Sequence, residues 1–393
     1  MLITLLALSM TATAADKNPT ATEPWQKDGN GWAGFPFANY SADDGLGFGA
    51  LGSIFEYDGV TAPYRAETSF LIYASTTGVQ THRIQYDRLK VGDPRLRLTA
   101  RVEFAADKYS NYCGKAPPGD CESADAEVAA REAGLQDNLN EDDDEYDLFI
   151  QQYYKKRELR PNMSLTGRWA LQEQGTRIEV FGSYYGELKR SGDFNAHAPW
   201  PGSLYEADFP SGEDGYISLL QVGLMADKRD NEPAPSSGHW DEISVRAAGP
   251  WSGSSFSYGG VNLSLRGYLP VFTERLVLAD RLVVDEMWGA PPVTELVRSG
   301  STEAYSFFGG QRAGRGVRSG RVMGKSRMMN QLELRATVAV FHPGKATIDV
   351  TPVAFVDAGY WATDLGSLNE GALVYGTGGG IRVAINKNFI LRA

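Results

Sequence analysis

Two cysteines and four histidines carry the most distinctive side-chain chemistry of this chain. Cys113 and Cys121 stand close together in one polar segment. In an exported protein, two such thiols form a disulfide that closes a small loop. The histidines show no ligand spacing, and two thiols without a nearby histidine make a poor metal site. The histidines are His82, His197, His239 and His342. We therefore expect a Cys113–Cys121 disulfide, with no metal and no cofactor.

No recognisable pattern brings catalytic groups together. No serine lies in a nucleophile elbow, and the acidic run at 141–145 lacks the spacing of an EF-hand. His239, which lies beside a predicted turn, leaves one enzymatic alternative open, a hydrolase with a Ser/His pair at the rim of the fold. We predict that the chain is not an enzyme.

The elements that must position these residues are strands with one apolar face and one charged face. In residues 328–340 every second side chain is apolar, and the alternate positions include Glu333 and Arg335. Residues 96–104 and 261–269 repeat the pattern. Successive side chains of a strand point to opposite faces. Many such strands predict an all-β fold, an antiparallel transmembrane β-barrel with lipid outside and a polar lumen inside.

The composition agrees with a membrane barrel and narrows its partners. Aromatic residues make up 11% of the 393 residues, which suits girdles at the membrane interfaces. No apolar run beyond the N-terminus reaches the roughly 18 residues of a helical span. The net charge of −11 argues against nucleic acid as a partner. We expect outer-membrane lipid around a monomeric barrel.

The N-terminal residues indicate export. Residues 1–14 combine a short apolar core with a small-residue cleavage site, which is typical of a secretory signal peptide. A short buried helix is the alternative. Residues 15–44 are expected to form a short polar segment, and residues 45–393 the barrel.

The pattern predicts about fifteen strands, and single-chain bacterial barrels have an even number. Two of the predicted strands are residues 146–158 and 162–173. The last one, at 388–393, is cut off, so we expect sixteen strands in a complete barrel and a truncated C-terminus. Barrels have short periplasmic turns and long external loops. The long connections at 190–214 and 289–327 are therefore placed outside. The acidic residues 108–145, which hold both cysteines, are predicted to be a solvated periplasmic excursion.

Three segments resemble the outer-membrane barrel assembly superfamily, which includes BamA, TamA and the two-partner secretion pores. Residues 227–245 are similar to a turn of that family, here predicted to be periplasmic. Its motif residues are Asp227, Arg229, Asp230, Asn231, Pro235 and Gly238. Residues 309–321 resemble the loop that folds back into the lumen, with Arg315-Gly316-Val317 where the family has Arg-Gly-aromatic. Residues 331–335 and 353–359 resemble the two strands that follow.

The resemblance implies a re-entrant loop locked inside the barrel. Arg315 would pair with the inward carboxylate of Asp357, Glu333 would join the pair, and Gly316 would permit a tight path. The family's polypeptide-transport-associated repeats have no counterpart in this sequence. The implied function is insertion or transport of polypeptide or lipid in the outer membrane of a Gram-negative bacterium. A client polypeptide or a lipoprotein would be the partner. Two alternatives remain open, a passive solute channel and a structural barrel that anchors a partner.

Overall fold

The computed structural model describes most of the chain beyond its N-terminus. The described residues are 28–41, 45–115, 117, 119, 121–135, 145–192, 199–302, 307–310, 312–343 and 346–392. The predicted signal peptide, residues 1–14, lies outside them. Four short helices occur in this part of the chain. They are α1 (Ser123–Glu132), α2 (Glu145–Tyr153), α3 (Leu204–Asp208) and α4 (Val293–Val297).

Strands dominate the described residues. In chain order they are β1 (Asp28–Ser41), β2 (Gly45–Asp58), β3 (Ala66–Ser75), β4 (Gln80–Arg88), β5 (Leu96–Asn111), β6 (Lys155–Gln172), β7 (Arg177–Lys189), β8 (Gly215–Asp227), β9 (Gly238–Ala248), β10 (Tyr258–Val271), β11 (Thr273–Gly289), β12 (Ser326–Ala336), β13 (Ala339–Phe341), β14 (Ile348–Ala362), β15 (Ala372–Ile385) and β16 (Phe389–Arg392). None of the described helices is long and apolar enough to cross a membrane.

The strands form one antiparallel sheet in which, apart from the short β13, neighbours in sequence are neighbours in space. The sheet curls into a nearly closed sixteen-stranded barrel. β12 and β13 both pair with β14, so they occupy successive parts of the same edge. The expected all-β fold, an antiparallel transmembrane barrel, is confirmed.

The two faces of the sheet follow the alternation of the sequence. On β5 the outward Val102 is 64% exposed, whereas Arg97 on the inner face is 5% exposed. On β12 Leu334 is exposed while Gln331 is buried. Apolar side chains therefore cover the lipid-facing surface, and polar side chains pack inside the barrel.

The expectation that residues 15–44 are a polar segment is wrong for residues 28–41, which form β1. This strand pairs with β2 along its whole length. Its outward face carries Trp32 and Tyr40, both exposed, but the other outward positions include glycine, proline, aspartate and asparagine. That face has too few apolar residues to show alternation, although pairing with β2 satisfies the backbone groups along that edge.

The prediction of two strands at 146–158 and 162–173 is also wrong. Residues Glu145–Tyr153 form α2, and β6 then runs without a break through Pro161. Proline normally marks an interruption in a strand because it has no N–H to donate. Here Pro161 stays in register opposite Phe104 of β5.

The described parts of the acidic segment 108–145 lie at the opposite end of the barrel from the turn 228–237, with which they were grouped, and residues 136–144 lie outside the described residues. In an antiparallel sheet followed in chain order, successive connections alternate between the ends. The connections 112–154, 190–214 and 290–325 therefore share one end, here called the loop end. Turns such as 228–237 lie at the opposite, turn end. Grouping the acidic segment with the turn 228–237 was wrong because the mistaken extra strand shifted the alternation, whereas the side of the membrane remains a prediction.

Side-chain contacts at the loop end show this grouping directly. Tyr112 packs edge-on against Tyr205, with ring centroids 5.2 Å apart. Both belong to a buried cluster with Val293, Leu296 and Met323 of the connection 290–325. All three long connections thus pack together over one mouth of the barrel.

Candidate functional site

The connection 290–325 between β11 and β12 folds back into the barrel, and it is called the lumen loop below. Its apolar side chains pack against the inner faces of β11, β12, β14 and β15. The buried residues of this cluster are Val283, Phe307, Phe308, Ala313, Val317, Val322, Met329, Trp361 and Val374. A loop with this much buried apolar surface is part of the folded interior.

Arg315 attaches the lumen loop to β14. Its backbone N–H donates to Oδ2 of Asp357 at 2.9 Å, and Nε donates to the same oxygen at 2.9 Å. Nη2 donates to Oδ1 at 2.7 Å, which makes the side-chain contact bidentate. Asp357 is completely buried, whereas the Arg315 side chain is 19% exposed. The structure therefore brings together the two residues that the resemblance paired.

Glu333 extends the contact to a second strand. It accepts a hydrogen bond from Nη1 of Arg315 at 2.6 Å and another from Nε of Arg335 at 2.7 Å. The guanidinium of Arg315 also lies over the ring of Phe355, 3.6 Å from its centroid. One arginine is thus held by two carboxylates and an aromatic face on β12 and β14.

Gly316 and Val317 complete the motif. Gly316 has a positive φ of 87°, and a Cβ there would lie 3.8 Å from the Cα of Gly376 on β15. A Cβ on Gly376 would in turn clash with the carbonyl oxygen of Arg315. Val317 replaces the family's aromatic residue and packs in the apolar cluster. Phe355, from the barrel wall, supplies the aromatic contact with Arg315 instead.

A second ion-pair network holds the first half of the lumen loop. Asp285 of β11 accepts two hydrogen bonds from Arg246, at 2.8 and 3.0 Å, and one from Asn262 at 3.2 Å. It also pairs with Arg327, which donates to the carbonyl oxygens of Leu296 and Arg298 in the loop. Asp285 and Arg327 are fully buried. Charged side chains of the barrel wall thus donate hydrogen bonds to buried loop carbonyl groups that would otherwise have no partner.

Further contacts tie the loop to β8 and β9. Thr302 Oγ1 donates to the buried Glu242 at 2.6 Å, and Gln221 donates to the carbonyl oxygen of Gly300 at 2.7 Å. The sequence analysis predicted neither the Asp285 network nor these contacts with β8 and β9. The alternating polar residues of the strands do indicate which side chains face the interior. They do not indicate which of these side chains contact the lumen loop.

The predicted disulfide is present at the loop end, where it joins Cys113 to Cys121. The neighbouring Tyr112 donates a hydrogen bond to Asp208 of the connection 190–214. Trp200 of the same connection donates to the carbonyl oxygen of Lys108 at 2.7 Å. The disulfide therefore lies in a cover made from several connections.

The motif residues of 227–245 build one compact turn at the turn end. Nε of Arg229 donates to Asp227 at 2.9 Å. The side chain of Asp230 accepts from the backbone N–H groups of Ser236 and Ser237, at 2.9 and 3.0 Å. These hydrogen bonds outweigh burial and hold the pKa of Asp230 below its usual value. The remaining motif residues shape the chain path: Asn231, which accepts from the Ala234 N–H, Pro235, and Gly238 with a φ of 94°.

Glu232, which the motif did not single out, extends from this turn to β5. Its carboxylate accepts two hydrogen bonds from Nη1 of Arg97, at 2.8 and 2.9 Å. Arg97 also donates to Asp87 of β4 at 3.0 Å. Burial alone would raise the pKa of Glu232, but the positive charges of Arg97, Arg168 and Arg229 lower it to about 2. The turn thus spans the mouth over β6 and β7.

Metal and acid–base chemistry find little support in the described part of the chain. No group of three histidine, cysteine, aspartate or glutamate side chains there is arranged to hold a metal ion. His239 contacts Asp241 at 2.7 Å, on its own strand. The absence of catalysis remains a prediction from the sequence.

Comparison with solved structures finds the same fold in one protein and gives two further matches. CdiB from Escherichia coli matches with a TM-score of 0.56 and 10% identity, over 90% of this chain and 56% of that one. BamA from Haemophilus ducreyi lacking POTRA domains 1–3 matches with a TM-score of 0.45 and 13% identity, over 91% and 66%. CdiB from Acinetobacter baumannii matches with a TM-score of 0.48 and 12% identity, over 90% and 53%. This chain thus spans less than two thirds of each of these proteins.

Sequence comparison identifies the family. No curated protein matches the chain. A family model described as the Omp85 superfamily domain matches residues 93–389, which include the lumen loop, its partners on β12 and β14, and the turn 228–237. The chain belongs to the Omp85 superfamily.

Proposed function

We propose that this barrel inserts or transports polypeptide or lipid in the outer membrane of a Gram-negative bacterium. The observation that carries the proposal is the contact of Arg315 with Asp357 and Glu333. It keeps the lumen loop folded against the wall through ion pairs and hydrogen bonds, which are reversible. A client chain that competes for these groups could displace the loop without breaking a covalent bond.

The contact between the first and last strands supports the same function. Phe35 of β1 stacks on Phe389 of β16, with ring centroids 5.7 Å apart. Two strands that touch through side chains can separate, and an open strand edge can pair with an incoming strand.

The test is the folding rate of a second outer-membrane barrel protein into liposomes that contain this chain. We expect faster folding than into empty liposomes. In the double variant Phe35→Cys/Phe389→Cys, oxidation should abolish the acceleration and reduction should restore it. The unsubstituted chain with and without reductant controls for its own disulfide. Equal rates with and without the chain would contradict the proposal.

A passive solute channel is the second candidate, because the inner face carries charged residues that water can solvate. Arg83 on β4 is 26% exposed and its partner Glu103 on β5 is 19% exposed, although both face the interior. A channel would give steady ion conductance in planar bilayers and leave the folding rate of the second barrel unchanged. This pair of results would favour the channel over the insertion function.

A further inference from the structure

Two arginines of the barrel wall and one of the lumen loop form a group of positive charges on the side opposite the loop's attachment. Arg83 on β4 lies opposite Glu103 on β5, and Arg101 lies two residues before Glu103 on the same inner face. Diagonal neighbours in an antiparallel pair are about 7–8 Å apart, within reach of long side chains. The third arginine, Arg312, belongs to the lumen loop and acts electrostatically on Arg83 together with Arg101 and Glu103.

Counted over the described residues, this cluster carries more positive than negative charge. Glu103 is the carboxylate that contacts Arg83, at 3.7 Å. Among the described residues, no ion pair or side-chain hydrogen bond reaches Arg101 or Arg312, and the Nε of Arg101 is buried without a partner. The other lumen clusters are different, because each buried arginine there has a carboxylate. Examples are Arg97, Arg246 and Arg315.

The contacts of the lumen loop with β12 and β14 fix the position of the third arginine. Gln331 of β12 donates to the carbonyl oxygen of Arg312 at 3.0 Å, and Arg315 three residues later is tied to Asp357. The backbone at Arg312 is thus attached to one wall, while its exposed side chain acts electrostatically on Arg83 of the other wall. The cluster exists only when the lumen loop is in place.

We propose that Arg83, Arg101 and Arg312 form an anion-binding site for a phosphate group inside the barrel. Guanidinium groups bind phosphate through paired N–H donors, and a site partly screened from water strengthens such charge-assisted bonds. A phosphate that carries two charges would balance the two arginines without partners. Free phosphate compounds and phospholipid headgroups offer the same chemistry. The site goes beyond the proposed insertion function and does not depend on it.

The test is isothermal titration of the detergent-solubilised full chain with pyrophosphate. Arg101→Gln and Arg312→Gln should each weaken binding at least tenfold, whereas Arg318→Gln should not. Arg318 is an exposed residue of the same loop, so it is a matched control. Glu103→Gln should tighten binding because it removes the competing carboxylate. A heat-dependent mobility shift on semi-native gels shows that each variant is folded.

Two further ligands distinguish the possible sources of the phosphate. Dihexanoyl phosphatidic acid presents a lipid phosphomonoester, and dihexanoyl phosphatidylcholine serves as the zwitterionic control. Tighter binding of the phosphatidic acid than of pyrophosphate would identify a headgroup site, and the reverse would identify a site for soluble phosphates. The proposal is overturned if neither anion binds, if the phosphatidylcholine binds equally well, or if the arginine variants bind as the unsubstituted chain does.

Discussion

Replacing Arg315 by alanine should release the lumen loop from the wall. The substitution removes two side-chain bonds to Asp357, at 2.9 and 2.7 Å, and one to Glu333 at 2.6 Å. The backbone N–H of residue 315 keeps its bond to Asp357. Asp357 is fully buried, so the change leaves a carboxylate in the interior without its cation.

The magnitude follows from these contacts. Removing one partner of a buried ion pair costs about 3–5 kcal/mol. Because the Arg315 side chain is 19% exposed, the lower end of that range applies, and about 3 kcal/mol corresponds to roughly a hundredfold shift in the equilibrium between the bound and the released loop. Asp357→Asn should cost a similar amount. The double variant should cost less than the sum of the two.

Single-channel recording in planar bilayers measures this shift as the fraction of time spent at high conductance. Arg315→Ala and Asp357→Asn should raise that fraction strongly. Arg318→Ala, at an exposed position of the same loop whose side chain makes no wall contact within the described structure, should leave it unchanged. Trypsin should also cut the loop faster in the first two variants. Unchanged conductance and unchanged cleavage in a folded Arg315→Ala barrel would refute the reasoning.

Other sites give further predictions. Glu232→Gln should detach the turn from Arg97 and speed proteolysis at the turn end, with unchanged cleavage counting against that attachment. The pKa of Glu232 is lowered to about 2. The stabilisation that its charge gives to the folded state is therefore complete above the unfolded pKa of about 4.3 and is lost as the pH falls through 2. Cleavage of the turn by an acid protease should accordingly rise only below about pH 4. Reducing Cys113–Cys121 should expose the loop-end cover to protease while the heat-dependent gel shift persists, and loss of that shift would contradict a local role. Asp285→Asn should destabilise the barrel by about 3–5 kcal/mol in urea, and a shift below 1 kcal/mol would contradict the network.

The sequence predicted the fold because a lipid-facing strand must alternate over its whole length. β5 and β12 alternate strongly and both were found, although β12 ends at Ala336 and the residues up to 340 belong partly to β13. β1 was missed because Gly34 and Pro36 stand where apolar side chains would normally face lipid. β6 was split at Pro161, although its register with β5 continues through that residue. The local pattern of side chains does not show whether a segment pairs with a neighbouring strand. Pairing is what makes β1 a strand and keeps β6 continuous through Pro161.

The site was predicted only in part, for a similar reason. The motif indicated Arg315 and Asp357, because their roles are tied to short recognisable segments. Nothing local connects Glu232 to Arg97, which lies 135 positions away. Their contact depends on the curvature of the barrel, which brings a turn across two strands. The same holds for Asp285, whose partners come from three other strands.

The most direct test of the locked lumen loop is the reactivity of a single new thiol at position 317. Val317 is 8% exposed inside the apolar cluster, and the native cysteines are joined in a disulfide. Val317→Cys in liposomes should react slowly with a membrane-impermeant maleimide, and adding Asp357→Asn should accelerate the reaction roughly a hundredfold, as estimated above for the lock. Arg318→Cys should react quickly in both backgrounds. Rapid labelling of Val317→Cys with Asp357 intact would show that the loop does not lie in the lumen.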